Sequence, residues 1–214
     1  ATGARAFAPP VKGLEPEDAF LMRTVEDALR FKDRLKKNDI KHAVVIGASM
    51  AGIKVVEVLH KYGIETWLLD LASYIFPLAA YKEVAKEIEK RVEAQGVHLM
   101  FGVTIDHMEQ ENGEKTAVLT DGSRIPADIV GLCIGTRAIT DTVQGEVEIG
   151  RGIVVDDHMR TSVPGIYAAG DCCEGNNLES GQNQIIGLWA NANHQGETAG
   201  INMAGGDMAY KGNI

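Results

Sequence analysis

The sequence predicts an α/β protein built on a doubly wound parallel sheet in which a β-meander replaces one crossover helix. Strand, turn and helix patterns alternate from residue 40 to residue 101. Two hairpin dipeptides, Asn112-Gly113 and Asp121-Gly122, then divide residues 103–126 into three short segments. The apolar run 128–135 predicts a buried strand that returns to the parallel sheet.

The stretch 43–52 organises this sheet. An apolar strand runs into a glycine turn, an amphipathic helix follows and ends before Gly63, and the next strand ends at Asp70. This order of strand, turn, helix, strand and acid predicts a Rossmann-like dinucleotide-binding unit. The candidate residues of its pyrophosphate turn are Gly47, Ala48, Ser49, Met50, Ala51 and Gly52.

Each position in this turn has a chemical reason. Gly47 makes the turn, the N–H groups at the start of the helix face a pyrophosphate, and Gly52 lets helix and strand pack closely. Ser49 stands where the middle glycine is usual; its hydroxyl can donate to a phosphate, but its side chain narrows the approach. Asp70 can accept hydrogen bonds from a ribose and repels a 2′-phosphate. Because no Arg or Lys occurs between Asp70 and Tyr81, NADH is favoured over NADPH.

Composition excludes several classes of partner. The chain has 214 residues and a net charge of −9, which argues against nucleic acid and anionic membrane surfaces. It has no apolar run of about 18 residues and no basic-then-apolar signal sequence, so a cytoplasmic location is predicted. Its three cysteines are typical of a reducing compartment. Cys172 and Cys173 could be a redox pair, although adjacent residues seldom reach disulfide geometry.

The remaining elements follow from shorter patterns. Thr24 is the predicted N-cap of a helix that runs to about Leu35, and a second helix is predicted over 80–95. The last third of the chain predicts strands at 152–157 and 166–171, a polar loop over 174–184 and a helix over 188–204. The six histidines show no metal-ligand spacing, so no metal site is predicted.

Five motifs in order give the chain a resemblance to a known family. It resembles the pyridine nucleotide-disulfide oxidoreductases, especially the branch of NADH oxidases, rubredoxin and ferredoxin reductases, coenzyme A-disulfide reductases and nitrite reductase flavin domains. The motifs are Ala1-Thr2-Gly3-Ala4-Arg5, residues 44–52, Ile134-Gly135-Thr136-Arg137, residues 161–171 and residues 188–196. Together they extend over nearly the whole chain.

The resemblance implies a domain order and a second cofactor. Residues 1–39 would end a first FAD-domain segment, 40–148 would form the NAD domain, and 149–214 would return to the FAD domain. Asp171 would hold the ribityl chain of FAD. The resemblance also implies that Thr2, Gly3 and Arg5 lie near the FAD pyrophosphate, and that Gly187, Leu188, Trp189 and Ala190 face the flavin; Gly135 and Gly170 complete the matched cofactor-binding residues.

Two departures from the family pattern limit this inference. The resemblance implies that the first FAD segment and the C-terminal dimerisation domain lie outside these 214 residues, and apolar strand edges left open would drive homo-oligomerisation. Lys54 stands where many family members carry a Glu that pairs with a lysine beside the flavin. A lysine there reverses the charge, so the hydride-transfer geometry usual in the family is not predicted for this chain.

Two functions remain open from the sequence. The first is the NAD(H)-binding portion of an FAD-dependent NADH oxidoreductase that passes hydride to flavin and on to an acceptor, either a small molecule such as oxygen, a disulfide or nitrite, or an electron carrier such as rubredoxin. The second is a catalytically inert nucleotide-binding module. No residue of the chain is predicted to be a catalytic acid, base or nucleophile.

Overall fold

The computed structural model describes residues 1–143 and 145–213 and divides the chain into two compact units. Unit 1 comprises Ala1–Arg5 and the chain from Thr136 onward; unit 2 comprises Ala6–Gly135. In chain order the strands are β1 (Ala4–Ala6), β2 (Ala19–Leu21), β3 (His42–Ile46), β4 (Glu65–Asp70), β5 (His98–Phe101), β6 (Ile105–Glu111), β7 (Glu114–Leu119), β8 (Arg124–Pro126), β9 (Ile129–Leu132), β10 (Thr136–Ala138), β11 (Ile153–Val154), β12 (Cys173–Asn176) and β13 (Asn183–Gln184). The helices are α1 (Val25–Leu35), α2 (Met50–Lys61), α3 (Lys82–Glu93) and α4 (Trp189–Met203).

Unit 2 is built on a five-stranded sheet with the strand order β2-β9-β3-β4-β5. Every neighbouring pair in this sheet is parallel. The central strands β3 and β9 are buried along nearly their whole length, which explains why their sequences are continuous apolar runs. The carboxyl ends of β3 and β4 therefore lie side by side, which is where α/β sheets bind ligands.

Each face of this sheet has its own apolar core. The three helices pack on one face, where Phe31 of α1, Leu59 of α2 and Ala85 of α3 meet Val45 and Leu68 of the sheet. The other face packs against the antiparallel sheet β6-β7-β8. The predicted fold class, a parallel α/β sheet with a β-meander crossover, is confirmed.

The meander between β5 and β9 turns where its sequence predicts. At the first turn Asn112 has φ 52° and Gly113 has φ 86°. Positive φ at both central residues is the requirement of the hairpin turn that Asn-Gly favours. Gly122 in the second turn also has positive φ, 86°, and β7 pairs antiparallel with both β6 and β8.

Unit 1 contains the pair β1-β10, the sheet β11-β12-β13 and helix α4. Its apolar core gathers Ile153, Met159, Ala168 and Cys172. Two predictions for this region are wrong. The stretch 166–171 forms only an isolated bridge between Tyr167 and Arg160, because the chain turns at Gly170, φ 84°. The predicted polar loop 174–184 includes β13 and most of β12.

Strand β2 was not predicted, since only Ala19, Phe20 and Leu21 form it and the segment before it is irregular. It pairs with β9 and so places residues 19–21 in the main sheet of unit 2. The boundaries between the two units differ from the predicted domain boundaries after residues 39 and 148. The predicted domain boundaries describe how the family divides its cofactor domains, and they stay a prediction.

Candidate dinucleotide-binding site

The turn after β3 requires glycine at both of its ends. Gly47 has φ 105°, and its N–H donates to the Leu69 carbonyl oxygen at 2.7 Å. A Cβ at Gly47 would lie 2.3 Å from the Cys133 carbonyl oxygen, and one at Gly52 would lie 1.9 Å from the Gly47 carbonyl oxygen. The backbones of the β3 turn, the start of α2 and the end of β9 therefore approach one another as closely as a dinucleotide-binding turn requires.

Ser49 is the N-cap of α2. Its hydroxyl accepts a hydrogen bond from the Gly52 N–H at 3.5 Å and donates to the Cys133 carbonyl oxygen at 3.2 Å. A hydroxyl has one proton, and here that proton is directed at Cys133. The serine in place of the middle glycine thus stabilises the start of the helix in this structure by accepting from Gly52, and the N–H groups of Met50 and Ala51 remain for an anion.

Asp70 at the end of β4 is fixed by the backbone around it. One carboxylate oxygen accepts from the Ala48 N–H at 2.7 Å, and the other accepts from the Ala72 N–H at 2.8 Å. The first bond joins the acid to the glycine turn. The next residue, Leu71, is 69% exposed, so the surface beside Asp70 is open.

The loop after Asp70 is attached to the same turn by a residue that the sequence does not single out. The Phe76 N–H donates to the Ala48 carbonyl oxygen at 2.9 Å. Phe76 has φ 55°, which is costly for a bulky side chain and is tolerated where the surroundings enforce it. The neighbouring residue Ile75 is fully buried, and its N–H donates to the Glu89 carboxylate at 3.0 Å.

Lys54, which departs from the family pattern, forms an ion pair with a carboxylate of its own helix. Its ammonium lies 2.8 Å from the Glu57 carboxylate, which also pairs with Lys61 at 2.7 Å. Hydrogen bonds from Lys54 and then Lys61 lower the pKa of Glu57 to about 2. Because all three side chains are largely exposed, this network adds little stability.

The acid predicted to hold FAD lies against the loop before α4, within unit 1. A Cβ at Gly187 would lie 3.3 Å from an Asp171 carboxylate oxygen, so glycine there lets the loop approach the acid. Leu188 is the N-cap of α4 and provides no side-chain cap. Leu188 and Trp189 are 52% and 84% exposed, and Ala190 is also exposed.

Gln195 on α4 positions the turn before Asp171. Its side-chain oxygen accepts from the Gly170 N–H at 2.8 Å, and its side-chain nitrogen donates to Asn213 Oδ1 at 2.8 Å. Gln195 and Asn213 are both almost fully buried. Gln195 lies in a matched motif, but its role as an anchor of Gly170 depends on a contact across 25 residues that the sequence pattern does not contain.

The other residues assigned to FAD make contacts near the chain start. The Thr2 hydroxyl donates to the Ile139 carbonyl oxygen, and Arg5 pairs with Asp141 at 2.5 Å. Gly3 has φ 74°. Gly135, with φ 98°, ends unit 2, and its carbonyl oxygen accepts from the Phe7 N–H at 3.0 Å.

The three cysteines are free thiols and all are buried. Burial raises the pKa of Cys133 to about 11; burial and the neighbouring Cys172 raise the pKa of Cys173 to about 12. Burial also acts to raise the pKa of Cys172, but hydrogen bonding by the backbone N–H groups of Thr2 and Gly3 lowers it below its ordinary value. Cys172 and Cys173, although adjacent, are not joined by a disulfide in this structure.

Among the described residues, the acidic group Asp156, Asp157 and His158 brings three side chains within 4.8 Å of one another. Its donor atoms are already engaged. Asp156 accepts from the N–H groups of His158 and Arg160, and the imidazole contacts Asp157 and Asp207 at 2.6 and 3.1 Å. This arrangement stabilises the turn after β11.

Comparison with known proteins places this geometry in a family. Residues 1–196 match the family model described as pyridine nucleotide-disulphide oxidoreductase. The chain is 29% identical over 212 residues to an NADH oxidase of Methanocaldococcus jannaschii, covering 98% of this chain and 47% of that protein. A NAD-dependent persulfide reductase from A. fulgidus has a TM-score of 0.89 and 30% identity, with coverage of 100% of this chain and 40% of that one. A water-forming NADH oxidase from Lactobacillus brevis bound to NADH has a TM-score of 0.89 and 28% identity, with coverage of 98% and 46%.

The chain belongs to the pyridine nucleotide-disulphide oxidoreductase family. This confirms the resemblance seen in its motifs, and the predicted cofactors, NAD(H) and FAD, are those of the family. The chain spans about half the length of these relatives. Among the residues that the structure describes, no helix is both long and apolar enough to cross a lipid bilayer.

Proposed function

We propose that this chain is the NADH-binding portion of an FAD-dependent NADH oxidoreductase. The single observation that carries the proposal is the turn Gly47–Gly52, whose two end glycines cannot take a Cβ and whose Ala48 peptide is bonded to Asp70. A purely structural strand-to-helix turn needs neither this closeness nor an acid bonded to it. NADH oxidases among the relatives support the same assignment.

The start of α2 and Asp70 contact different parts of NADH in this proposal. The N–H groups at the start of α2 bind the pyrophosphate, because the first turn of a helix leaves its donors without intrahelical partners. Asp70 accepts from the adenosine ribose. Both of its oxygens already accept one backbone bond, and each keeps a second lone pair for a hydroxyl.

The residues of unit 1 fit the second cofactor. FAD, when bound, would accept hydride from NADH and pass electrons to an acceptor. Asp171 binds the ribityl hydroxyls, since its carboxylate lies at the glycine loop that leads into α4. The Leu188 N–H donates to the Ile186 carbonyl oxygen at 2.8 Å, and the uncapped first turn of α4 at Trp189 and Ala190 presents N–H donors that stabilise negative charge. Thr2, Gly3 and Arg5 border the pyrophosphate in this proposal.

Calorimetric titration with NADH tests the assignment of the turn. We expect saturable binding by the wild-type chain and binding at least about tenfold weaker in Gly52→Ala, since hydrogen bonds to a charged group contribute about 1.5–3 kcal/mol. Gly200→Ala is the matched control, because a Cβ at Gly200 meets no atom within 4 Å. Equal NADH affinity in all three proteins, with unchanged circular dichroism, would refute the assignment.

The inert-module alternative makes a different prediction for flavin. Flavin absorbance in near-stoichiometric amount, retained on purification or regained on adding FAD, supports the oxidoreductase. A colourless chain that binds NADH and takes up no FAD favours the inert nucleotide-binding module instead.

A further inference from the structure

The loop between β4 and α3 is bonded to a side chain that the proposed function does not use. Ile75 in this loop is fully buried, and its N–H donates to a Glu89 carboxylate oxygen at 3.0 Å. Glu89 lies on α3, 14 residues further along the chain. A half-buried carboxylate of the helix therefore accepts a backbone hydrogen bond from the loop that follows Asp70.

The packing of α3 places Glu89 beside this loop. Ala85 is fully buried in the apolar core on the helix side of the sheet, and Ile88 and Val92 pack against that core. Ile75 belongs to the same core. Because Glu89 follows Ile88 directly and lies one helical turn after Ala85, its carboxylate reaches the loop from the rim of the core.

The residue after Ile75 is bonded directly to the glycine turn. The Phe76 N–H donates to the Ala48 carbonyl oxygen at 2.9 Å, and the Ala48 N–H donates to an Asp70 carboxylate oxygen at 2.7 Å. A series of hydrogen bonds, with one step along the backbone, thus connects Glu89 to the acid proposed to bind the adenosine ribose.

Phe76 has a backbone conformation that needs this support. Its φ of 55° lies in the left-handed region, which is unfavourable for a bulky side chain. Residues held in this region cluster at ligand sites, where the surrounding structure enforces them. The bond to Glu89 fixes the residue before Phe76, and the Ala48 carbonyl fixes Phe76 itself. Without the Glu89 bond, we expect Phe76 to relax and to release the Ala48 carbonyl.

We propose that Glu89 is a positioning residue of the NADH site: it holds the backbone of Ile75 and Phe76 so that Ala48 and Asp70 keep the geometry that binds the adenosine ribose. This inference rests on the proposed function of the glycine turn. Glu89 acts through the loop, and the loop acts on the ribose acceptor. Acceptors that are oriented before the ligand arrives lower the cost of binding.

Calorimetric titration of two Glu89 variants with NADH tests the proposal. Glu89→Ala removes the acceptor of the Ile75 N–H, and we expect NADH affinity to fall at least about fivefold. Glu89→Gln keeps a side-chain oxygen that accepts the same bond, so it should restore the affinity to within about twofold of the wild type. Glu87→Ala is the matched control, because Glu87 is an exposed carboxylate of the same helix that pairs with Lys90 at 2.7 Å. This control should keep the wild-type affinity.

A double-mutant cycle with Asp70 separates positioning from a general loss of stability. If Glu89 acts through the ribose acceptor, the effects of Glu89→Ala and Asp70→Ala on NADH affinity are less than additive, whereas independent effects add. Circular dichroism establishes that each variant is folded.

The outcomes distinguish this inference from the proposed function. NADH binding by the wild type that Glu89→Ala leaves unchanged, that Glu89→Gln fails to restore, or that shows full additivity in the cycle would overturn the positioning role and leave the NADH site in place. A wild-type chain that does not bind NADH would overturn both.

Discussion

The backbone N–H and carbonyl groups of Ala48 are both bonded to the segment that begins at the last residue of β4. Its N–H donates to Asp70 at 2.7 Å, and its carbonyl oxygen accepts from Phe76 at 2.9 Å. Asp70 is bonded a second time by the Ala72 N–H. The acid and the turn are thus oriented before any ligand arrives, which lowers the cost of binding.

The charge of Asp70 should decide between NADH and NADPH. We expect Asp70→Asn combined with Leu71→Arg to raise the NADPH-to-NADH affinity ratio at least about tenfold, because the change removes a negative charge and adds a guanidinium beside the 2′-phosphate. Competitive titration of the two nucleotides measures the ratio.

Leu78→Arg is the control for that experiment. Leu78 is fully exposed in the same loop, so the substitution adds the same charge away from Asp70. An affinity ratio that stays at the wild-type value in the double variant, or that rises equally in Leu78→Arg, would contradict the role of Asp70.

Helix α1 begins with a complete capping box. Thr24 Oγ1 accepts from the Asp27 N–H at 3.2 Å, and the Asp27 carboxylate accepts from the Thr24 N–H at 2.9 Å. The helix buries Phe31 and Leu35 against the sheet of unit 2. Its start is therefore fixed by two reciprocal bonds and its position by two apolar anchors.

Removal of the cap should destabilise unit 2 by about 1 kcal/mol. We expect Thr24→Ala to lower the urea midpoint, followed by Trp67 fluorescence in a Trp189→Phe background, and Thr24→Ser to restore most of the loss because it keeps the hydroxyl. If the alanine and serine variants unfold at the same urea concentration, the hydroxyl has no capping role.

His107 makes the stability of the meander depend on pH. Its Nδ1 contacts the Asp106 carboxylate at 2.7 Å and its Nε2 contacts Glu109 at 3.1 Å. These hydrogen bonds, that of Asp106 first, raise the pKa of His107 above its ordinary 6.5. The stabilisation is fully present below pH 6.5 and is lost as the pH rises through the raised pKa.

The expected consequence is a pH-dependent effect of one substitution. His107→Asn should destabilise unit 2 more at about pH 5.5 than at about pH 8.5, as measured by urea unfolding at both values. His60→Asn controls for loss of an exposed imidazole. A destabilisation by His107→Asn that is constant across this range would contradict the pairing.

The elements that the sequence predicts best are those with long periodic patterns. The approximate extents of α1, α2, β3 and β4, and the presence of a three-stranded meander within residues 103–126, follow from apolar spacing, caps and turn dipeptides. The stretch 166–171 has the composition of a buried strand, yet burial there comes from packing in unit 1 and Gly170 turns the chain. The composition of a segment indicates that it is buried, but it does not identify the strand with which the segment pairs.

The same distinction applies to the candidate sites. Gly47, Gly52 and Asp70 could be predicted because one βαβ unit brings them together, so their spacing in sequence determines their spacing in the fold. Phe76 and Gln195 could not, since their anchoring bonds join segments whose separation no motif fixes.

At the scale of the whole molecule, the residues proposed to bind the two cofactors lie in different compact units. Unit 2 contains the turn Gly47–Gly52 and Asp70, and unit 1 contains Asp171 and the start of α4. We therefore place the proposed NADH site in unit 2.

An NADH titration of the ¹⁵N-labelled chain followed by amide chemical shifts tests that claim most directly. We predict that saturating NADH shifts the amides of Gly47, Ser49–Gly52 and the loop after Asp70, and leaves the meander turn at Gly113 unchanged. Shifts confined to other parts of the chain, or no shifts at saturating NADH, would contradict the account.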